Sequence, residues 1–187
     1  MTDNYLTDFS SSEMNEIILE DNKNIKIKNS KNEKHINSIS KILLELIEKN
    51  KKLKNYKKII RNEKNKFSIL EKPNISIKDY LIRINNYLNP EESTLIISLI
   101  LIDKLCCMSK IILNEFNIHR ILFTSILISF KLNEDIIFSH KYFSSVSGMD
   151  NQELKNLEIQ FLKLIDYNCF VSKEIYDKYF HYLNEDE

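Results

Sequence analysis

Of 187 residues only one is glycine and two are proline, and neither alanine nor tryptophan occurs. A single glycine rules out a glycine-rich phosphate loop, which needs several close together. With so few turn formers a turn-rich β fold is excluded as well. The missing alanine, beside a surplus of Ile, Lys and Asn, reads as a preference for AT-rich codons and carries no information on fold. Cysteine is scarce: Cys106, Cys107 and Cys169 make an odd number, two of them adjacent, with no CxxC. Neither a disulfide framework nor a zinc site is expected from that pattern, only apolar thiols in a reducing compartment. The four histidines, His35, His119, His140 and His181, are scattered without metal-ligand spacing. No metal, cofactor or catalytic constellation is therefore expected, and the chain reads as a non-enzyme. The start, "MTDNYLTDFSSSEMN", lacks the basic residues and apolar stretch of a signal peptide. The longest apolar run, Leu95–Ile102, stops at Asp103, well short of the roughly 20 residues a membrane span needs. A soluble protein of the nucleus and/or cytoplasm, with no membrane partner, is the expectation.

The formal net charge is zero but unevenly spread. Residues 1–30 carry six acids against three lysines, and residues 31–66 carry twelve bases against four acids. Blocks of one sign are usually solvated faces, and that is expected of the basic stretch Lys49–Lys66. The remainder is mildly acidic, so a nucleic-acid partner is not expected there.

Apolar periodicity is helical wherever it is sustained. Residues 1–34 show little of it and read as mostly disordered, with a short helix at Glu13–Asp21. Ile36, Ile39, Leu43, Leu46 and Ile47 then recur at steps of three and four, the mark of an amphipathic helix. The basic run that follows fits either a helical extension or a loop. After Pro73, a stripe of Ile77, Tyr80, Leu81, Ile84 and Leu88 follows Ser76, a suitable N-cap. Asn89 as N-cap and Pro90 at the first helical position predict the next start. The helix beyond, "STLIISLILIDKLCCMSKIIL", is apolar nearly all round and should be central. "NIHRILFTSILISFKLNED" is a third, with Ser125 and Ser129 on one face as small residues for a close crossing. A short segment ends at Gly148, Asp150 with Glu153 fits a capping box, and a last helix is expected in "SKEIYDKYFHYL". Tyr176, Tyr179, Phe180 and Tyr182 should form its packing face.

Charges sit on or beside these apolar faces. They are Arg83, Asp103, Lys131 and Glu158. A charge withdrawn from water must be paired. Arg83 with Asp103 and Lys131 with Glu158 are the natural pairings, and snorkelling to solvent is the alternative for each. A pair inside the chain would fix a helix crossing. A pair at the rim of an apolar surface would leave donors and acceptors for another protein.

Several motifs together resemble the cyclin box, in particular that of the P-type (phosphate-regulation-like) cyclins. They are "ISI-x-x-YL-x-R" after a proline, "ID" in the second helix, "HR-x-L-x-T" leading to a closing "K", and "Y-x-x-V-x-G" before "EL-x-x-LE-x-x-FL-x-x-I-x-Y". The resemblance implies an all-α, five-helix cyclin-box bundle with an additional N-terminal helix and a C-terminal helix. Residues 35–183 would form the cyclin domain, with 35–66 the N-terminal helix and basic connection and 73–183 the box and C-terminal helix. It implies a regulatory subunit that binds and activates a cyclin-dependent kinase, docking the kinase C-helix in a groove of the third and fifth box helices. Lys131 and Glu158 match the family's kinase-contacting lysine and glutamate, and Arg83 and Asp103 its internal ion pair. Apolar residues such as Leu127, Phe161 and Ile165 are expected in the groove beside the charged pair. A helical scaffold, or a nucleic-acid-binding cyclin-like domain without kinase activation, is the alternative.

Overall fold

The computed structural model describes residues 32–62, 65–136 and 138–185. The expected helix at Glu13–Asp21, and the disorder expected of residues 1–31, lie outside the described residues. Residues 32–34, expected to precede the first helix, already belong to it.

The helices are α1 (residues 32–51), α2 (Tyr56–Asn62), α3 (Ile77–Leu88), α4 (Glu92–Ser109), α5 (Ile118–Asn133), α6 (His140–Ser147), α7 (Asn151–Leu164) and α8 (Lys173–Asn184). No strand occurs among the described residues. The all-helical expectation holds: α3 to α7 stand where the five box helices were expected, with α1 before them and α8 after. The basic stretch is neither simple extension nor plain loop, because α1 ends in a turn at 52–55 and α2 restarts.

α4 and α5 form the centre. α4 packs against α5, α7 and α8, and α5 also packs against α7. Both are buried around most of their circumference, through Leu95, Ile96, Leu101 and Leu105 on α4 and Leu122, Phe123, Ile126 and Leu127 on α5. Full burial of one such side chain is worth about 1.5–3 kcal/mol. Ser98, Ser125 and Ser129 are buried on the same two helices. The first two bond their own preceding turn, at the carbonyls of Leu95 and Leu122.

The outer helices are fastened to this centre by polar contacts at their ends. Asn32 Nδ2 donates to Asn85 Oδ1 and to the Pro90 carbonyl, tying α1 to the α3–α4 junction. Ser38 Oγ donates to the Leu183 carbonyl, tying α1 to the end of α8. Before α3 the chain turns at 66–67 and bends at 70–71 and 74–75, with Phe67 buried edge-to-face on Phe161. Tyr176, Tyr179 and Phe180 pack α8 onto the core as expected, whereas Tyr182 is largely exposed.

Three local expectations shift. Asn89 does not cap α4. It takes the left-handed conformation (φ 44°) and closes α3, its N–H bonded to the Asn85 carbonyl, a role asparagine tolerates better than most residues. α4 then begins at Glu92, beyond Pro90. Asp150 does accept the Gln152 and Glu153 amides, but Glu153 does not complete the capping box. Its carboxylate pairs with Arg120 instead, joining the starts of α5 and α7.

Candidate functional site

Lys131 lies in the last turn of α5 and Glu158 lies midway along α7. Because α5 and α7 pack side by side, two residues 27 apart in sequence meet. Lys131 Nζ donates to Glu158 Oε1 at 2.5 Å. The side chains are 40% and 16% exposed respectively. The lysine faces outward and the carboxylate is set back. This half-exposed pair is worth less than a fully buried one, because water screens it.

The carboxylate has a second partner that sequence spacing did not suggest. His140 Nε2 lies 3.1 Å from Glu158 Oε2, and His140 Nδ1 lies 3.1 Å from Asn151 Oδ1. His140 opens α6, where Ser139 accepts the Tyr142 amide as N-cap. Asn151 opens α7, seven residues before Glu158 and so on the same helical face. Three helices therefore converge on one carboxylate.

The end of α5 is anchored as well. Glu134 Oε1 accepts the Glu91 amide and the Thr94 hydroxyl. Asn133 Nδ2 donates to Ser93 Oγ and Thr94 Oγ1. Glu134 thus satisfies an orphan amide at the start of α4, the group Asn89 was expected to serve.

Not every predicted site residue stands where expected. Leu127, Phe161 and Ile165 are each 0% exposed. They belong to the buried core and do not reach the surface, because both helices turn their most apolar stripe inward. Among the described residues, exposed apolar side chains close to the pair in sequence are Leu132, directly after Lys131, Ile136 in the α5–α6 connection, and Ile159, directly after Glu158. Arg83 and Asp103 do not pair. Arg83 donates to the Ser145 carbonyl on α6, and Asp103 accepts the Tyr179 hydroxyl from α8. α3 and α4 turn these residues toward different neighbours, and both side chains are largely exposed.

Other reactive groups are quiet. Burial, with Asp103 adding, pushes the Cys106 thiol up to about 12, so it is not a ready nucleophile. Burial, with its bond to Asp103, also lifts the Tyr179 phenol. Among the described residues no group of His, Cys, Asp and Glu could hold a metal ion, and no helix is long and apolar enough to cross a membrane.

Comparison with known proteins gives one consistent answer. The family model described as Cyclin matches residues 14–169. The chain is 32% identical over 121 residues to Cyclin-U4-3 of Arabidopsis thaliana, covering 64% of this chain and 55% of that one. It is 34% identical over 114 residues to Cyclin-P4-1 of Oryza sativa subsp. japonica, covering 60% and 54%. It is 31% identical over 119 residues to PHO85 cyclin-7 of Saccharomyces cerevisiae, covering 57% and 42%. The chain thus spans about half the length of the curated relatives it matches.

Proposed function

The chain belongs to the cyclin family, and from that premise we propose that it is the non-catalytic regulatory subunit of a cyclin-dependent kinase. The end of α5 and the middle of α7 form the docking surface for the C-helix of the kinase. A kinase needs an ion pair between a strand lysine and a C-helix glutamate before it can transfer phosphate. A rigid surface that binds the inward position of that helix better than the outward one shifts the kinase toward its active form.

The observation that carries this reading is the Lys131–Glu158 pair, which reaches the surface and has exposed Leu132 and Ile159 directly after its two members in the chain. A half-exposed ammonium, with exposed apolar residues next to the pair in sequence, suits a helix end or loop that offers both backbone carbonyls and apolar side chains. One relative's name, PHO85 cyclin-7, carries PHO85, which makes PHO85 the first candidate partner.

Affinity capture of the intact protein, followed by mass spectrometry and a kinase assay, tests the proposal. The expected result is a co-purifying kinase whose activity depends on this chain. Lys131→Ala and Glu158→Ala should each weaken kinase recovery about tenfold, as loss of one interfacial charge partner does. Folded variants that recover the kinase as well as the natural chain would refute the site.

A further inference from the structure

The carboxylate of Glu158 is not free to meet a partner in the same way as Lys131. One oxygen receives Lys131 and the other faces His140. Its side chain is only 16% exposed. The Lys131 ammonium has three N–H groups, one of them used on Glu158. Among the described residues no other acceptor takes the remaining two, and the side chain is 40% exposed. The arrangement is a relay of orientation: Asn151 holds His140, His140 holds Glu158, and Glu158 holds the lysine.

The imidazole must present a proton to Glu158. If Nδ1 donates to Asn151 Oδ1, a donor at Nε2 requires the doubly protonated ring. If the Asn151 amide is turned to donate to Nδ1, the neutral ring with its proton on Nε2 suffices. In both arrangements Nε2 carries hydrogen, because a bare nitrogen lone pair facing a carboxylate would be repelled.

We propose that His140 is a positioning residue: by donating to Oε2 of Glu158 it fixes the carboxylate that aims the Lys131 ammonium at a partner's backbone carbonyls. This rests on the docking reading above. Without His140, Oε2 has no donor among the described residues and the carboxylate can rotate about its terminal torsion, which is broad for glutamate. The ammonium then loses its fixed direction, and a partner has to order it on binding. The position matters because α6 contributes nothing else to the pair. His140 makes the α6 start part of the docking surface although it is not at the front of it.

The test uses nitrogen-detected spectra of the free full-length protein, in which lysine ammonium and histidine ring signals are read separately. In the natural chain the Nε2 of His140 should show a bonded proton. The Lys131 ammonium, identified by its loss in Lys131→Arg, should exchange slowly. His140→Ala should speed that exchange about tenfold while the thermal midpoint stays within about 2 °C. His140→Gln, which keeps an amide donor at similar reach, should restore the slow signal. A bare Nε2, or an unchanged ammonium signal in His140→Ala, would overturn the proposal. So would loss of the signal in both variants, since ring packing rather than the donated bond would then be responsible. A parallel measurement of affinity for purified PHO85 should show His140→Ala about tenfold weaker and His140→Gln near the natural chain. If Lys131→Ala bound PHO85 as tightly as the natural chain, the docking reading would fall, while the ammonium signal would still decide the role of His140.

Discussion

Single atoms decide several properties of this molecule. Ser129 is fully buried on α5 and its hydroxyl has no hydrogen-bond partner among the described residues. A buried polar group without a partner is destabilising, and alanine would fit the same space with better helix propensity. Ser129→Ala should therefore stabilise the fold by about 1 kcal/mol, read as a higher urea midpoint at unchanged slope. His119 is buried beside Tyr80, with Nε2 3.0 Å from the Ile75 carbonyl and Nδ1 without a partner among the described residues. Burial holds its imidazole below the ordinary value of 6.5, against the opposing pull of the Ile75 bond and with some help from Lys72. Charging the ring would leave a buried Nδ1–H unpaired. The unfolded chain therefore takes the proton more readily than the folded one. Stability from this residue is complete above about 6.5 and is lost as the pH falls through that value toward the folded one. Urea midpoints measured at about pH 7.5 and about pH 5.5 should differ, and His119→Gln should flatten the difference. The sequence placed His119 at a helix start. It did not reveal the buried Nδ1, because the carbonyl that receives Nε2 comes from a segment 44 residues away.

At the level of elements, the helices were legible because their apolar periods are long and their caps local. Ser76, Ser139 and Ser172 each accept an amide at the start of a helix. Gly148, the only glycine, closes α6 with φ 74°. A Cβ there would meet nothing within 4 Å, so the cost of Gly148→Ala is backbone strain alone, about 1 kcal/mol. Thermal unfolding of that variant should show a modest fall with no change in cooperativity. What failed were three inferences whose outcome was decided by a second element. Asn89 looked like the cap of α4, but that amide is met by Glu134 from the far end of α5. Glu153 looked like half of a capping box, but Arg120 from α5 takes it. Arg83 and Asp103 had matching charges on successive helices, yet α6 and α8 supply their partners. Charge sign restricts who can pair, whereas direction around each helix decides who does.

Across the whole molecule, the bundle and the Lys131–Glu158 pair could be anticipated from pattern, and the apolar surface around the pair could not. α5 is apolar on nearly every side, so nothing in its sequence marks Leu132 as outward and Leu127 as inward. Ile159 was within reach, since it lies off the stripe of Leu154, Leu157 and Phe161. His140 was not, because only the packing of α6 on α7 brings it to Glu158. If the exposed apolar trio serves docking, Ile159→Ser should leave the urea midpoint nearly unchanged while lowering kinase affinity by about 1 kcal/mol, measured by calorimetry with PHO85. The clasp that Asn133 and Glu134 make on the start of α4 has a consequence for how two molecules would come together. The stretch that bears the ammonium is immobilised before any encounter, so the entropy of ordering it has been spent during folding. On the proposed reading, whatever bends in the complex bends on the kinase side. Amide exchange across residues 130–134 should be as slow in the solitary chain as in the assembled one.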